Sequence, residues 1–313
     1  MDASGLVVSP GFIDMHSHSD RTLLIDGDAQ SKIRQGVTTE ILGEGSSGGP
    51  NTGKIGPVNE TITGERVEIE SLGDFFQALE KSTISVNIAS YVGINNLWRS
   101  VMGDSFETPT PEQIEQMKTL LAAAMDDGAL GLSTQVMTPP GSLATTDQLV
   151  QLAKVAAAQG GIYSSHIRNE GLGVFEAVEE AITVGKEAGI PVDIIHLKIA
   201  DEKFWGRMPE IVARIEQARR DGIQVHANVY PYTRGNNNLS SIIPPWAHEG
   251  GNPKLLARLK DPEIRARLKT EIEEGLPGWY NHYTAVGKDW GRMLISANNF
   301  YQGLTMDRVI EMK

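Results

Sequence analysis

Seven short apolar stretches alternate with amphipathic helical patterns along most of this chain, and that rhythm restricts its fold more than any other feature. Strands are expected at Phe12–His16, Thr38–Gly43, Ser85–Val92, Gly128–Thr134, Gly161–Ser165, Val192–Leu197 and Gln224–Tyr230. Helical periodicity fills Pro111–Asp126, Thr146–Gln159, Gly173–Ala188 and Pro209–Asp221. Pro111 and Thr146 stand where helix starts are expected, and Gly128, Gly160 and Gly222 lie near the ends. Alternation of this kind implies a parallel sheet, because parallel neighbours need a crossover that a helix supplies. Seven such units suit a (β/α)8 barrel better than an open sheet of five or six strands, with one strand left uncounted.

The first expected strand ends in Asp14-Met15-His16-Ser17-His18. Residues i and i+2 of a strand share a face, so His16 and His18 can grip one metal ion. Two more of the seven histidines also close strands: His166 follows Ile162-Tyr-Ser-Ser165, and His196 follows Val192-Asp-Ile-Ile195. In a parallel barrel the C-terminal strand ends open on one mouth, so these four converge there. Four neutral imidazoles with carboxylate oxygens make a zinc-type site for one or two ions. The chain has no cysteine, which excludes disulfides and thiolate ligands. His226 is one residue off the inward register of its strand. His248 and His282 lie in an irregular stretch and are expected at the surface or in hydrogen bonds.

That irregular stretch begins after Tyr232, with one helical pattern at Pro253–Glu274 and another at Thr305–Met312. It reads as an insertion after the seventh strand, a place where segments often cover an active site. The barrel is accordingly expected over residues 11–232, with 233–313 as insertion and approach to an eighth strand. Gly43-Glu-Gly-Ser-Ser-Gly-Gly49 lacks the Lys-Ser/Thr ending of a phosphate loop and reads as a mobile loop after the second strand. The net charge of −12 argues against nucleic acid or an anionic membrane as partner. No apolar run approaches the roughly 20 residues of a membrane span. The N-terminus has no basic and apolar signal-peptide regions, so a cytoplasmic protein is expected.

Several motifs resemble the D-aminoacylase / N-acyl-D-amino-acid deacylase family of the amidohydrolase superfamily. They are Gly-Phe-Ile-Asp-Met-His-Ser-His (11–18), Gly-Val-Thr-Thr-Glu (36–40), Gly-Ala-Leu-Gly-Leu-Ser-Thr (128–134), Tyr-Ser-Ser-His-Ile-Arg-Asn-Glu-Gly (163–171), His-Leu-Lys (196–198) and Tyr-Pro-Tyr-Thr (230–233). The resemblance implies a TIM-like (β/α)8 metal-dependent hydrolase barrel with strands 1 to 7 present. Strand 8 and most of a small β-sandwich would be missing, residues 1–10 being a remnant of the sandwich linker. It further implies that His16 and His18 hold the more exposed metal, and His166 and His196 the buried one. Family members usually anchor the metal with a cysteine where this chain has Gly45. Glu44, the neighbouring residue, is expected to supply a carboxylate in its place, with Glu40 the weaker candidate.

By the same resemblance the substrate is a small N-acyl-D-amino acid, hydrolysed at its linear amide bond with the aid of Zn2+. An aspartate on strand 8 would serve as base, and none is found, so this chain is expected to be a fragment with little or no activity. Related cyclic-amide or dipeptide hydrolysis, or metal binding without turnover, are the alternatives. Lys198 suits a substrate carboxylate, and Tyr230 can hydrogen-bond the substrate. Arg168 and Glu170 pair with each other or line the mouth. Departures from the family pattern stand at Ile94, Thr138 and Asn236, where histidine, tyrosine and serine are usual; Asn236 is kept as a substrate-binding candidate. Nothing in the sequence fixes the oligomeric state.

Overall fold

Apolar and β-branched runs form the strands of this chain, and each of the seven ranges read as a strand contains one. The computed structural model describes residues 2–312. In chain order the strands are β1 (Phe12–Asp14), β2 (Val37–Leu42), β3 (Val58–Ile62), β4 (Glu65–Ile69), β5 (Asn87–Ser90), β6 (Val92–Gly93), β7 (Gly131–Gln135), β8 (Ile162–His166), β9 (Val192–Ile194) and β10 (Val225–Ala227). The order β1-β2-β5 makes one parallel sheet, and β10-β9-β8-β7-β6 makes a second.

The range expected as a single strand at Ser85–Val92 is split at Tyr91 into β5 and β6. The backbone carries the pairing across the break. Tyr91 N donates to Leu42 O, and Leu130 N donates to Ser90 O. Among the described residues β1 and β10 each pair on one edge only. The chain is an α/β protein.

The helices are α1 (Thr22–Ile25), α2 (Gln30–Ile33), α3 (Leu72–Lys81), α4 (Ile94–Met102), α5 (Pro111–Asp126), α6 (Thr146–Ala158), α7 (Val174–Ala188), α8 (Met208–Arg220), α9 (Gly251–Lys260), α10 (Pro262–Glu274), α11 (His282–Ala285) and α12 (Met306–Glu311). Reciprocal side-chain caps open α5 (Thr110 with Gln113) and α6 (Thr145 with Gln148), which satisfies backbone N–H groups that lack helical partners. Helices α4 to α8 pack their apolar faces on the sheet. Leu97, Trp98, Met117, Leu121, Leu132, Leu149, Val178 and Val192 are fully buried between them. Each such side chain contributes about 1.5–3 kcal/mol of burial energy.

The structure departs from sequence expectation in three places. Residues 58–69 form an antiparallel hairpin, β3–β4, closed by Thr63 and Gly64, both at positive φ (51° and 86°). The helical stretch read at Pro253–Glu274 is two helices, because Pro262 holds Asp261 in an extended conformation that ends α9 while the Asp261 carboxylate caps α10. The glycine-rich loop after β2 is packed rather than free: a Cβ on Gly48 would lie 2.1 Å from the Phe75 ring.

Candidate metal centre

Parallel register sets where the functional side chains emerge. His16 and His18 follow β1, Glu44 follows β2 by two residues, His166 ends β8, and His196 follows β9 by two residues. All leave the C-terminal ends of neighbouring or near-neighbouring strands. His196 adopts φ +39°, in the left-handed region that an L-residue enters at a cost of about 1–3 kcal/mol. It is held there by Asn228, whose Oδ1 accepts from His196 N at 2.7 Å.

The five side chains meet at the Glu44 carboxylate. Oε2 lies 2.5 Å from His16 Nε2 and 3.0 Å from His18 Nε2. Oε1 lies 2.6 Å from His166 Nδ1 and 3.8 Å from His196 Nε2, and the last two nitrogens are 3.1 Å apart. His16, His18 and Glu44 thus form one donor trio, and Glu44, His166 and His196 a second. A tetrahedral ion with N and O bonds of 2.0–2.2 Å needs its ligand atoms about 3.4 Å apart; the second trio's separations of 2.6, 3.1 and 3.8 Å bracket that value, and the ligand atoms of each trio lie within 4.8 Å of one another. The donors fit a zinc-type ion: imidazole and carboxylate, with no sulfur. The second trio is the more enclosed, with side-chain exposures of 6% (Glu44), 8% (His166) and 10% (His196), against 69% for His18.

Gly45 explains why the carboxylate and not its neighbour faces the histidines. It sits at φ +60°, and a Cβ there would lie 2.4 Å from Gln135 Cβ. No side chain fits at 45 without displacing β7. Burial works to raise the Glu44 pKa, but hydrogen bonds from His16, His166, His18 and His196 outweigh it and hold the carboxyl far below its usual range. The same bond from Glu44 raises His18. His196 rises to about 9: burial opposes its charge, and hydrogen bonds to Glu170 and Glu44 prevail.

The remaining expected site residues divide. Lys198 and Tyr230 stand beside the centre. Lys198 Nζ bonds Glu170 and lies 5.5 Å above the Tyr230 ring, whose centroid is 6.2 Å from that of His196. Arg168 does not pair with Glu170 or turn toward a substrate. Its Nε and Nη2 each donate to Glu180 at 2.9 Å, and its Nη1 and Nη2 donate to Ser142 O and Ala144 O. A guanidinium so occupied ties loops to α7. Asn236 is exposed and bonds Ser296 at 3.4 Å, with no hydrogen bond to the histidine cluster among the described residues. Glu40 is fully buried below the centre, accepting from Ser17 and Ser19, with Lys32 Nζ at 3.4 Å.

Sequence reasoning missed two residues. Glu170 is 3% exposed and lies behind His196 and His166 rather than at the mouth. His282, expected at the surface or hydrogen-bonded, is half-buried. Its Nε2 is buried without a hydrogen-bond partner, its ring packs edge-on to Tyr280 at 4.7 Å, and burial lowers its pKa to about 4. His248 bonds Ile243 O at 3.3 Å, and His226 is exposed on β10.

Comparison with known proteins adds to this geometry. The profile of the Amidohydrolase family matches residues 1–259. A D-aminoacylase of Alcaligenes xylosoxydans xylosoxydans is 38% identical over 244 residues, 76% of this chain and 50% of that protein. The crystal structure of N-acyl-D-glutamate deacylase from Bordetella bronchiseptica, complexed with zinc and a phosphonate inhibitor, superposes with a TM-score of 0.68 at 36% identity, covering 74% of this chain and 49% of the other. A D-aminoacylase structure described for its binuclear metal centre gives a TM-score of 0.66 at 28% identity over 83% of this chain and 59% of the other. The chain spans about half the length of the curated relatives it matches.

Proposed function

This chain belongs to the amidohydrolase family, and from that membership we propose that its histidine–glutamate centre serves the metal-dependent hydrolysis of linear amide bonds, deacylating N-acyl-D-amino acids. The observation that carries this reading is the Glu44 carboxylate standing between two imidazole pairs, with one oxygen toward each. His166, His196 and Glu44 would hold one zinc ion in the enclosed part of the site, and His16, His18 and Glu44 a second, more exposed one. When bound, zinc polarises the acyl carbonyl and activates water for attack.

The protein's own residues orient the substrate. The Lys198 ammonium, while paired with Glu170, has a further N–H to offer the amino-acid carboxylate, and the Tyr230 hydroxyl a hydrogen bond at the rim. Residues 11–232 form the wall of a TIM-like (β/α)8 barrel with seven strand positions filled. Residues 1–10 lead into it, and 233–313 cover its mouth.

Binding is the direct test, since it depends on residues present here. The zinc-supplemented protein is titrated calorimetrically with N-acetyl-D-amino acids, their L-enantiomers and a hydantoin. The expected result is zinc-dependent binding at least about tenfold (1.4 kcal/mol) tighter for the D-enantiomer, weakened by Tyr230→Phe. Equal binding of the enantiomers, or preference for the hydantoin, refutes the proposal.

A further inference from the structure

Glu170 lies four residues beyond His166 in a loop that folds back on itself. Asn169 Oδ1 accepts from Gly171 N at 2.9 Å and Gly173 N at 3.2 Å, and this turn reverses the chain. Ala200 N donates to Glu170 O at 2.8 Å, tying the turn to the segment after β9. The Glu170 side chain is therefore carried under the two imidazoles of the enclosed trio. Tyr280 roofs the turn, its ring so close to Gly171 that a Cβ there would lie 3.0 Å from Tyr280 Cε2. Glu170 is left 3% exposed.

One oxygen, Oε1, makes the contacts that matter. It lies 3.1 Å from His196 Nδ1 and 3.7 Å from His166 Nε2, and it pairs with Lys198 Nζ. These are the ring nitrogens turned away from Glu44: His196 presents Nε2 to the centre and His166 presents Nδ1. His166 Nε2 is buried and makes no hydrogen bond, its 3.7 Å from Glu170 Oε1 being an electrostatic contact only. An imidazole that gives one nitrogen to a metal must carry its proton on the other, and a carboxylate behind it fixes both tautomer and ring angle. A plain ion pair with Lys198 would not require the oxygen to sit in the arc of both rings.

We infer that Glu170 is a positioning residue that sets the tautomer and orientation of His196 and places its negative charge behind His166, with Lys198 balancing that charge. The inference rests on the metal-binding reading of the centre and goes beyond it in naming what holds the ligands in place. Removing the charge while keeping the shape leaves His196 Nδ1–H without an anionic acceptor and takes the negative charge away from behind His166 Nε2. Loss of such a partner weakens metal affinity about 10- to 100-fold.

The test is zinc affinity of the full chain by chelator competition, with the cobalt(II) visible spectrum as reporter of ligand geometry, for wild type, Glu170→Gln and Glu170→Asp. Expected are a drop of about 10- to 100-fold and an altered cobalt spectrum in Glu170→Gln, with Glu170→Asp in between. A residue that only stabilised the loop would lower the melting temperature and leave the cobalt spectrum unchanged. Glu170→Gln binding zinc within about twofold of wild type with an unchanged spectrum overturns the inference. Should Glu170→Gln not fold, the same unchanged affinity and spectrum in Glu170→Asp overturns it. Wild-type protein that binds no zinc overturns the metal-binding reading itself, and this inference with it.

Discussion

Introducing a methyl group at Gly45 tests why this centre uses the carboxylate at 44. Gly45 sits at φ +60°, which costs an L-residue about 1–2 kcal/mol. Its backbone is also fixed, with Gly45 N donating to Ser133 Oγ at 3.0 Å and Gly45 O accepting from Asn95 N at 2.8 Å. An added Cβ would stand 2.4 Å from Gln135 Cβ, and overpacking of that kind costs about 1–3 kcal/mol. Gly45→Ala is therefore destabilised by roughly 2–5 kcal/mol, or about 3–8 °C in Tm for a chain of this size. Gly56→Ala is the control: it has a similar φ of +65° and nothing within 4 Å of its Cβ, so it loses only the backbone part. The assay is thermal and urea unfolding of both variants by circular dichroism. Equal destabilisation of the two would refute the steric argument and with it the reason given for a carboxylate ligand at 44.

Two further outcomes follow from groups around the centre. His282 has a folded-state pKa of about 4 against 6.5 when unfolded, so the unfolded chain binds the extra proton first and stability is lost as pH falls from 6.5 toward 4. Wild type is expected to lose about 2 kcal/mol more between pH 7 and pH 5 than His282→Gln; urea midpoints that fall equally for both would refute the burial of that ring. Arg168→Met strips four hydrogen bonds and leaves the half-buried Glu180 carboxylate without its cation. It should cost about 3 kcal/mol of stability while leaving zinc content unchanged; zinc loss in a folded variant would return Arg168 to the site.

The strand positions and four of the five donor residues were legible because each is a local signal. An i, i+2 histidine pair shares a face wherever it ends a strand, and apolar runs between helical stretches mark strands whatever their partners. Glu44 was legible only through the family resemblance, which puts the usual metal-anchoring cysteine at Gly45 and so points to the carboxylate beside it. Glu170 was not, because its role depends on a back-folded turn meeting a residue 26 positions later, and in sequence it reads as one more loop charge beside Arg168. The β3–β4 hairpin escaped for a related reason: its strands carry Glu, Asn, Arg and Thr between few apolar residues, so alternation is weak. His282 shows the limit most clearly, since nothing near it in sequence announces that its Nε2 will be buried without a hydrogen-bond partner.

The most direct measurement is the zinc-to-protein ratio of the desalted chain, by elemental analysis, for wild type and Glu44→Ala. The account predicts about one to two equivalents in wild type, because four imidazoles converge on the Glu44 carboxylate, and almost none in Glu44→Ala. Near-zero zinc in wild type, or a ratio that Glu44→Ala leaves unchanged, would contradict it.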